Sequence, residues 1–150
     1  MLTNKGKYGL KAMVHLAGLP PGTRIGVAEI AEAHRIPKKF LDAILGDLRN
    51  AGFVHSKKGP GGGYALARPA EEIRIGHVVR ALDGPLAPLP CASRTAYRPC
   101  EDCADEAGCA VRLAMLAVRN SIAGILDNLT LEQMRSLPQA EAEASLTYHI

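Results

Sequence analysis

The dipeptide Ile36-Pro37 separates two short runs of apolar residues at helical spacing. No helix runs straight through it, because proline lacks an amide donor and pushes the residue before it out of the helical region. Upstream, Val27, Ile30 and Ala31 recur at intervals of three and four, and the run ends in His34-Arg35. Downstream, Phe40, Leu41, Ile44, Leu45 and Leu48 lie on one face of residues 38–50, closing at Ala51-Gly52, where glycine tolerates the left-handed geometry of a helix end. Two short helices thus meet at a tight turn, and the second opens with Lys38 and Lys39. This is the helix-turn-helix pattern, in which the later helix lies in the DNA major groove.

The flanking sequence extends the pattern. Tyr8, Leu10, Ala12, Met13, Leu16, Ala17 and Leu19 predict a first helix over residues 5–19, stopped by Pro20-Pro21-Gly22. After the third helix, Phe53-Val54-His55-Ser56 reads as a strand, residues 57–63 as a turn and Tyr64-Ala65-Leu66-Ala67 as a returning strand, which together form a wing. The turn carries two lysines and four glycines, so its backbone can approach a phosphate or a minor groove closely. A nucleotide-cradling loop is the other reading of such glycines, but the Gly-Lys-Ser/Thr ending and the strand-to-helix setting are missing. The residues expected on DNA are Lys38, Lys39 and Phe40 in the first turn of the recognition helix, with Lys57, Lys58, Gly59, Gly61, Gly62 and Tyr64 in the wing. The plain alternative for the four lysines is an ordinary solvated surface.

Charge is distributed to match. Residues 1–80 hold 13 Lys/Arg against 6 Asp/Glu, whereas residues 81–150 hold 5 against 9, so a net +3 chain has a basic front and an acidic rear. No uninterrupted apolar run reaches membrane-spanning length and no cleavage pattern follows the start, which predicts a cytoplasmic protein. With no GxSxG, HExxH, dinucleotide fingerprint or paired carboxylates at an evident pocket, an enzyme is not expected.

Past Arg68-Pro69, Ile75, Val78, Val79 and Leu82 predict a helix under the wing, ended by Asp83-Gly84-Pro85. Residues 85–108 then carry four prolines and no sustained periodicity. All four cysteines, Cys91, Cys100, Cys103 and Cys109, fall within 19 positions in or next to this stretch. A chain that is 47% apolar has core enough without disulfide staples, so metal or redox chemistry is the first expectation. Iron-sulfur clusters and structural zinc both accept all-thiolate ligation. Zinc ribbons favour two CxxC knuckles, and only Cys100 and Cys103 form one here; the wider, uneven gaps suit a larger cluster. Thiol-disulfide sensing and inert cysteines remain further readings.

Val111, Met115, Val118, Ile122, Ile125 and Leu129 alternate steps of four and three, the heptad signature of a helix seam against a partner. Thr130 and Gln133 can cap a short final helix, and residues 138–150 read as a polar, alanine-rich tail. His15, His34, His55, His77 and His149 are expected to be structural or solvent-facing, and Met13, Met115 and Met134 to be core or seam residues. The fold expected is mainly α with a small β-hairpin. Residues 1–82 form a winged helix-turn-helix domain, 83–108 a cysteine-rich sensor loop, 109–136 a long dimerisation helix with a short terminal helix, and 137–150 the tail.

Several segments carry a family resemblance: Lys7-Tyr8-Gly9-Leu10-Lys11-Ala12, Ile30-Ala31, Ile36-Pro37-Lys38-Lys39-Phe40-Leu41, Leu48-Arg49-Asn50-Ala51-Gly52 and, most specifically, Gly59-Pro60-Gly61-Gly62-Gly63-Tyr64-Ala65-Leu66-Ala67. Over about residues 3–135 the chain resembles the Rrf2 family of bacterial transcriptional regulators, which includes the IscR, NsrR and RirA types. The resemblance implies a homodimer whose long helices cross near the symmetry axis, each winged domain reading half of a pseudo-palindromic double-stranded DNA operator. It also implies an iron-sulfur cluster, 2Fe-2S or 4Fe-4S, in a three-cysteine loop before the long helix. Cys103 and Cys109 match the last two of those positions, while Cys91 and Cys100 compete for the first. Arg112 stands where some members place a histidine ligand, which leaves the fourth ligand open between the additional cysteine and a residue of the partner's first helix. The expected function is a transcriptional repressor whose operator affinity responds to cluster or thiol redox state. A zinc-stabilised or thiol-disulfide repressor, and a protein-interaction module without DNA binding, are the alternatives.

Overall fold

Helix α1 (Asn4–Ala17) begins where Thr3 caps it, the hydroxyl accepting the Gly6 amide at 3.1 Å. The Thr3 amide in turn donates to the Asp83 carboxylate at 2.9 Å, so the same residue ties α1 to the end of α4 (Ile75–Asp83). Glycine makes that approach possible. A Cβ on Gly6 would lie 2.4 Å from Asp83 Oδ2, and one on Gly9 would lie 2.2 Å from Leu82 Cδ1. The computed structural model describes residues 2–147, which leaves His149 outside the described residues.

Helices α2 (Val27–His34) and α3 (Lys38–Asn50) meet at the expected break. The turn closes as a Schellman motif: the Ile36 amide bonds to Ala31 O at 2.9 Å and the Arg35 amide to Glu32 O at 3.3 Å, with Arg35 left-handed at φ 53°. Helix α3 ends the same way, Gly52 taking the left-handed position at φ 84° while the Phe53 amide reaches Leu48 O at 3.0 Å. Ile30, Leu41, Ile44, Leu45 and Leu48 are buried against Leu10, Met13 and Leu16 of α1 and Ile75, Val78 and Val79 of α4. Burial of each such side chain stabilises by about 1.5–3 kcal/mol, which fixes α3 relative to the rest of the winged domain.

The wing pairs β1 (Val54–Lys57) with β2 (Gly63–Leu66) antiparallel, in the register Val54 to Leu66 and Lys57 to Gly63. Ile25 adds a one-residue third rung, exchanging backbone bonds with Tyr64 at 3.1 and 2.8 Å. The glycines have a cause nearer than DNA: a Cβ on Gly63 would lie 2.5 Å from Ile25 O, and one on Gly62 would lie 2.2 Å from Lys57 O. Gly59 and Gly61 are instead required by left-handed φ values of 86° and 71°.

A 3-10 turn (Ala70–Glu72) leads into α4, and another (Pro90–Ala92) interrupts the irregular stretch before α5 (Ala110–Leu126). The corner after α5 is clamped to the start of α4. Ile75 N bonds to Leu129 O at 2.9 Å and Leu131 N to Ile73 O at 2.8 Å. Arg80 grips Asp127 in bidentate fashion at 2.6 and 2.9 Å, over Gly76, where a Cβ would lie 1.9 Å from Asp127 Oδ1. Leu126 and Leu129 pack on the core, and Leu131 is fully buried in it.

Two expectations need correction. The last helix, α6 (Leu131–Thr147), does not stop near residue 136 but continues through Pro138 into the segment read as a tail. Its start is the expected capping box, with Thr130 N to Gln133 Oε1 at 2.9 Å and Gln133 N to Thr130 Oγ1 at 3.1 Å. An interior proline costs about 3 kcal/mol, but Gln139, Ala140, Glu141, Ala142, Glu143 and Ala144 are strong helix formers and carry the helix on. The heptad series is also only half open. Val111, Val118 and Ile125 are 63%, 42% and 66% exposed, whereas Met115, Ile122 and Leu129 are half-buried. Among the described residues no helix is long and apolar enough to cross a membrane.

His15 on α1 and His34 on α2 face each other, Nδ1 to Nε2 at 3.0 Å with the rings edge to face at 79°. Burial first, then the charges of His15 and Lys11, hold His34 below the ordinary histidine value. The folded state therefore resists protonation that the unfolded chain accepts, and stability present at neutral pH is lost on acidification. The thermal midpoint is expected to fall as pH drops through about 6.5, with a shallower fall in His34→Gln. The same pH slope in the variant as in the parent would contradict this role.

Candidate DNA interface and cysteine pocket

Lys38, Lys39 and Phe40 form the exposed first turn of α3. Lys38 Nζ lies 3.2 Å from Asp42 Oδ2 one turn on, an exposed pair whose net value is at most about 1 kcal/mol, so little holds the lysine back from a phosphate. Phe40 packs edge to face on Tyr8 of α1, centroids 5.7 Å apart, and so also braces α3. In the wing, Lys57, Lys58, Gly59 and Gly61 are exposed. Gly62 and Tyr64 belong to its scaffold: the Gly62 amide bonds to Gly59 O at 2.9 Å, while Tyr64 pairs with Ile25 and its side chain packs against the core.

The structure adds two exposed arginines to the basic surface. Arg24 precedes the Ile25 rung and is thereby brought to the wing's base, and Arg35 occupies the left-handed position of the helix-turn-helix turn. A lone residue before an isolated bridge has no periodicity to reveal it. Arg35 was marked only by its place before Ile36-Pro37. Arg68 lies over the Phe53 ring, 5.3 Å from its centroid, at the foot of the hairpin.

The four cysteines come from three kinds of backbone yet line one open pocket of about 520 Å³, with Leu89, Asp102, Asp105 and Arg112. Cys91 sits in the 3-10 turn Pro90–Ala92 and is buried, at 5% exposure. Its carbonyl accepts from Arg112 Nε at 3.1 Å, which fixes the turn against α5. Cys109 caps α5, its Sγ accepting the Arg112 amide at 3.4 Å, so the sulfur lies at the positive end of the helix. Cys100 and Cys103 lie on the exposed loop, joined by a backbone bond from Cys103 N to Cys100 O at 3.4 Å.

The Cys100 thiol donates toward Cys91 Sγ across 3.8 Å. Two thiolates on one tetrahedral metal, with bonds of about 2.3 Å, stand about 3.8 Å apart, so this pair is already at ligand spacing. Among the described residues, however, no three Cys, His, Asp or Glu side chains converge on a single-ion position. The hydrogen bond to Cys91 pushes the Cys100 thiol above its ordinary value, and desolvation followed by the Glu106 carboxylate does the same to Cys103. Arg112, whose position suggested a missing histidine ligand, links the Cys91 turn to Glu106 at 3.5 Å. Tyr97 hydroxyl also bonds to Glu106, and this bond holds the phenol above its usual range. None of His15, His34, His55 and His77 lines the pocket.

A family model for Rrf2, described as iron-dependent transcriptional regulator, matches residues 2–136. The rrf2-like HTH-type transcriptional regulator of Rhodobacter capsulatus is 46% identical over 137 residues, covering 89% of this chain and 91% of that one. The HTH-type transcriptional regulator CymR of Bacillus subtilis is 31% identical over 147 residues, covering 98% of both. The solved structure of CymR, described as the global cysteine regulator of B. subtilis, superposes with a TM-score of 0.75 at 30% identity, covering 91% of this chain and 97% of that one. T. potens IscR superposes with a TM-score of 0.72 at 29% identity, covering 95% and 90%.

Exposure orders the thiols. Under anaerobic, metal-free conditions a maleimide is expected to modify the exposed Cys100 and Cys103 before the buried Cys91. Mass spectrometry of timed digests checks the order, and early modification of Cys91 would contradict the buried turn.

Proposed function

Because the chain belongs to the Rrf2 family of transcriptional regulators, a non-enzymatic class, we propose that it is a cytoplasmic DNA-binding repressor whose operator affinity is set by an iron-sulfur cluster in the cysteine pocket. The observation that carries this reading is the gathering of all four thiols on one pocket at the start of α5, whose far end is clamped to the winged domain. Cys91, Cys100, Cys103 and Cys109 would hold a cluster of the 2Fe-2S or 4Fe-4S type. Their all-thiolate chemistry suits it, and the wide, uneven gaps between them in the sequence suit a multi-iron group better than a zinc ribbon. When bound, such a cluster supplies a redox-labile crosslink that oxidants, nitric oxide or iron shortage remove.

The chain's own residues relay that change. Arg112 holds the Cys91 turn on α5, and the corner from Asp127 to Leu131 holds α5 on α4 beneath the winged domain. A shift in the loop therefore biases the position of α5 and, through the clamp, the DNA-reading surface, with a coupling of about 1–3 kcal/mol. Lys38, Lys39 and Phe40 enter the major groove. Lys57, Lys58, Gly59 and Gly61 meet the adjacent backbone, on a wing shaped by Gly62 and Tyr64. The open line of Val111, Val118 and Ile125 supports pairing of α5 with a second copy, giving a homodimer on a pseudo-palindromic operator.

Anaerobic reconstitution with iron and sulfide tests the reading. The expected product is a brown protein with sulfur-to-iron charge-transfer absorption, lost in Cys103→Ala and Cys109→Ala together with any change in operator affinity on loading. Lys57→Ala and Lys58→Ala should each reduce the salt slope of operator binding by about one unit. A colourless parent protein, or operator binding indifferent to salt, would overturn the proposal.

A further inference from the structure

We infer that Cys91 and Cys100 form a reversible disulfide in the metal-free protein, closing the pocket against its ligand. The disulfide rests on geometry; only its regulatory meaning rests on the pocket being a cluster site. Cys91 and Cys100 are the two sulfurs within hydrogen-bonding reach of each other among the described residues, at 3.8 Å. A bonded pair needs about 2.05 Å, a closure that the exposed Cys100 loop can absorb while Cys91 stays put. The Cys91 turn is held to α5 through Arg112. The segment between the two cysteines is already folded back on itself, with Arg98 N bonded to Pro90 O at 3.3 Å and Ala96 N to Ser93 Oγ at 2.9 Å. Little further ordering is needed to bring the ends together.

Exposure assigns the order of steps. Cys100 is the sulfur of the pair that solvent reaches; it attacks a low-molecular-weight disulfide such as oxidised glutathione, forming a mixed disulfide and releasing one glutathione thiol that carries the Cys100 proton. Cys91, buried beside it, then attacks the Cys100 sulfur; the protein disulfide forms and a second glutathione thiol leaves with the Cys91 proton. Two protein thiols are oxidised and one glutathione disulfide is reduced to two thiols. Cys103 and Cys109 alone then remain as donors, too few for a four-thiolate site.

The test uses full-length, metal-free protein equilibrated with reduced and oxidised glutathione, acid-quenched, alkylated and mapped by mass spectrometry without reduction. The expected result is a crosslink joining the Cys91 and Cys100 peptides, with Cys103 and Cys109 alkylated. Cys91→Ser should stop at one glutathione on Cys100, Cys100→Ser should give neither product, and the Cys103→Ala, Cys109→Ala double variant should still form the crosslink. The oxidised parent should acquire no colour on anaerobic reconstitution until a dithiol reductant is added. Four alkylated cysteines after oxidation, or a dominant crosslink through Cys103 or Cys109, would overturn the inference. Failure of the cluster reading is separate: the fully reduced protein would stay colourless while the Cys91–Cys100 crosslink still formed.

Discussion

The bidentate pair between Arg80 and Asp127 joins the end of α5 to α4, and with it the cysteine-bearing segment to the winged domain. It lies beside a backbone bridge between Arg74 and Thr130, so an ion pair and two peptide hydrogen bonds act on the same corner. Its side chains are only 22% and 34% exposed, which weakens solvent screening and makes a missing partner costly. The hydrogen bond to Arg80 holds the Asp127 carboxyl below its ordinary value despite opposing desolvation, and the same contact raises Arg80. The Asp127 carboxyl thus gives up its charge at a lower pH than an isolated carboxylate would. Gly76 permits it, since any side chain there would occupy the place of the carboxylate.

From this corner α5 runs to the cysteine pocket, where Cys109 caps it and Arg112 fastens the Cys91 turn. The stretch before α5 is held by polar anchors such as Arg112 and by the buried turn of Cys91 and Ala92. The core of α1, α3 and α4, by contrast, is continuous and apolar. The charge division runs along the same line: basic residues accompany the helix-turn-helix and wing, and acidic ones accompany the cysteines.

What could be read in the sequence was whatever local chemistry dictates. Ile36-Pro37, Gly59 and Gly61 of the wing, the Ala51-Gly52 helix end and the Thr130-Gln133 box each specify their own backbone, and each stands where the pattern put it. Features that depend on distant partners were not legible. Arg80 and Asp127 are 47 positions apart, and neither carries a local signature of the other. Ile25 joins the wing as a single rung, too short for any period, and Gly6, Gly9 and Gly76 owe their identity to neighbours across helix interfaces. The heptad series was visible, but not that Met115, Ile122 and Leu129 lean toward their own chain. For the thiols, spacing gave the chemistry of the donors, and only the fold brought Cys91 and Cys100 side by side.

Coupling between pocket and DNA surface through the clamp is tested most directly by operator affinity measured with cluster-loaded and cluster-free protein, in the parent and in Asp127→Asn. Transmission through Arg80 and Asp127 predicts an affinity ratio of roughly 5–150 in the parent that falls toward one in the variant, while the variant's absorption and helix content match the parent's. An undiminished ratio in a folded, fully loaded variant would contradict it.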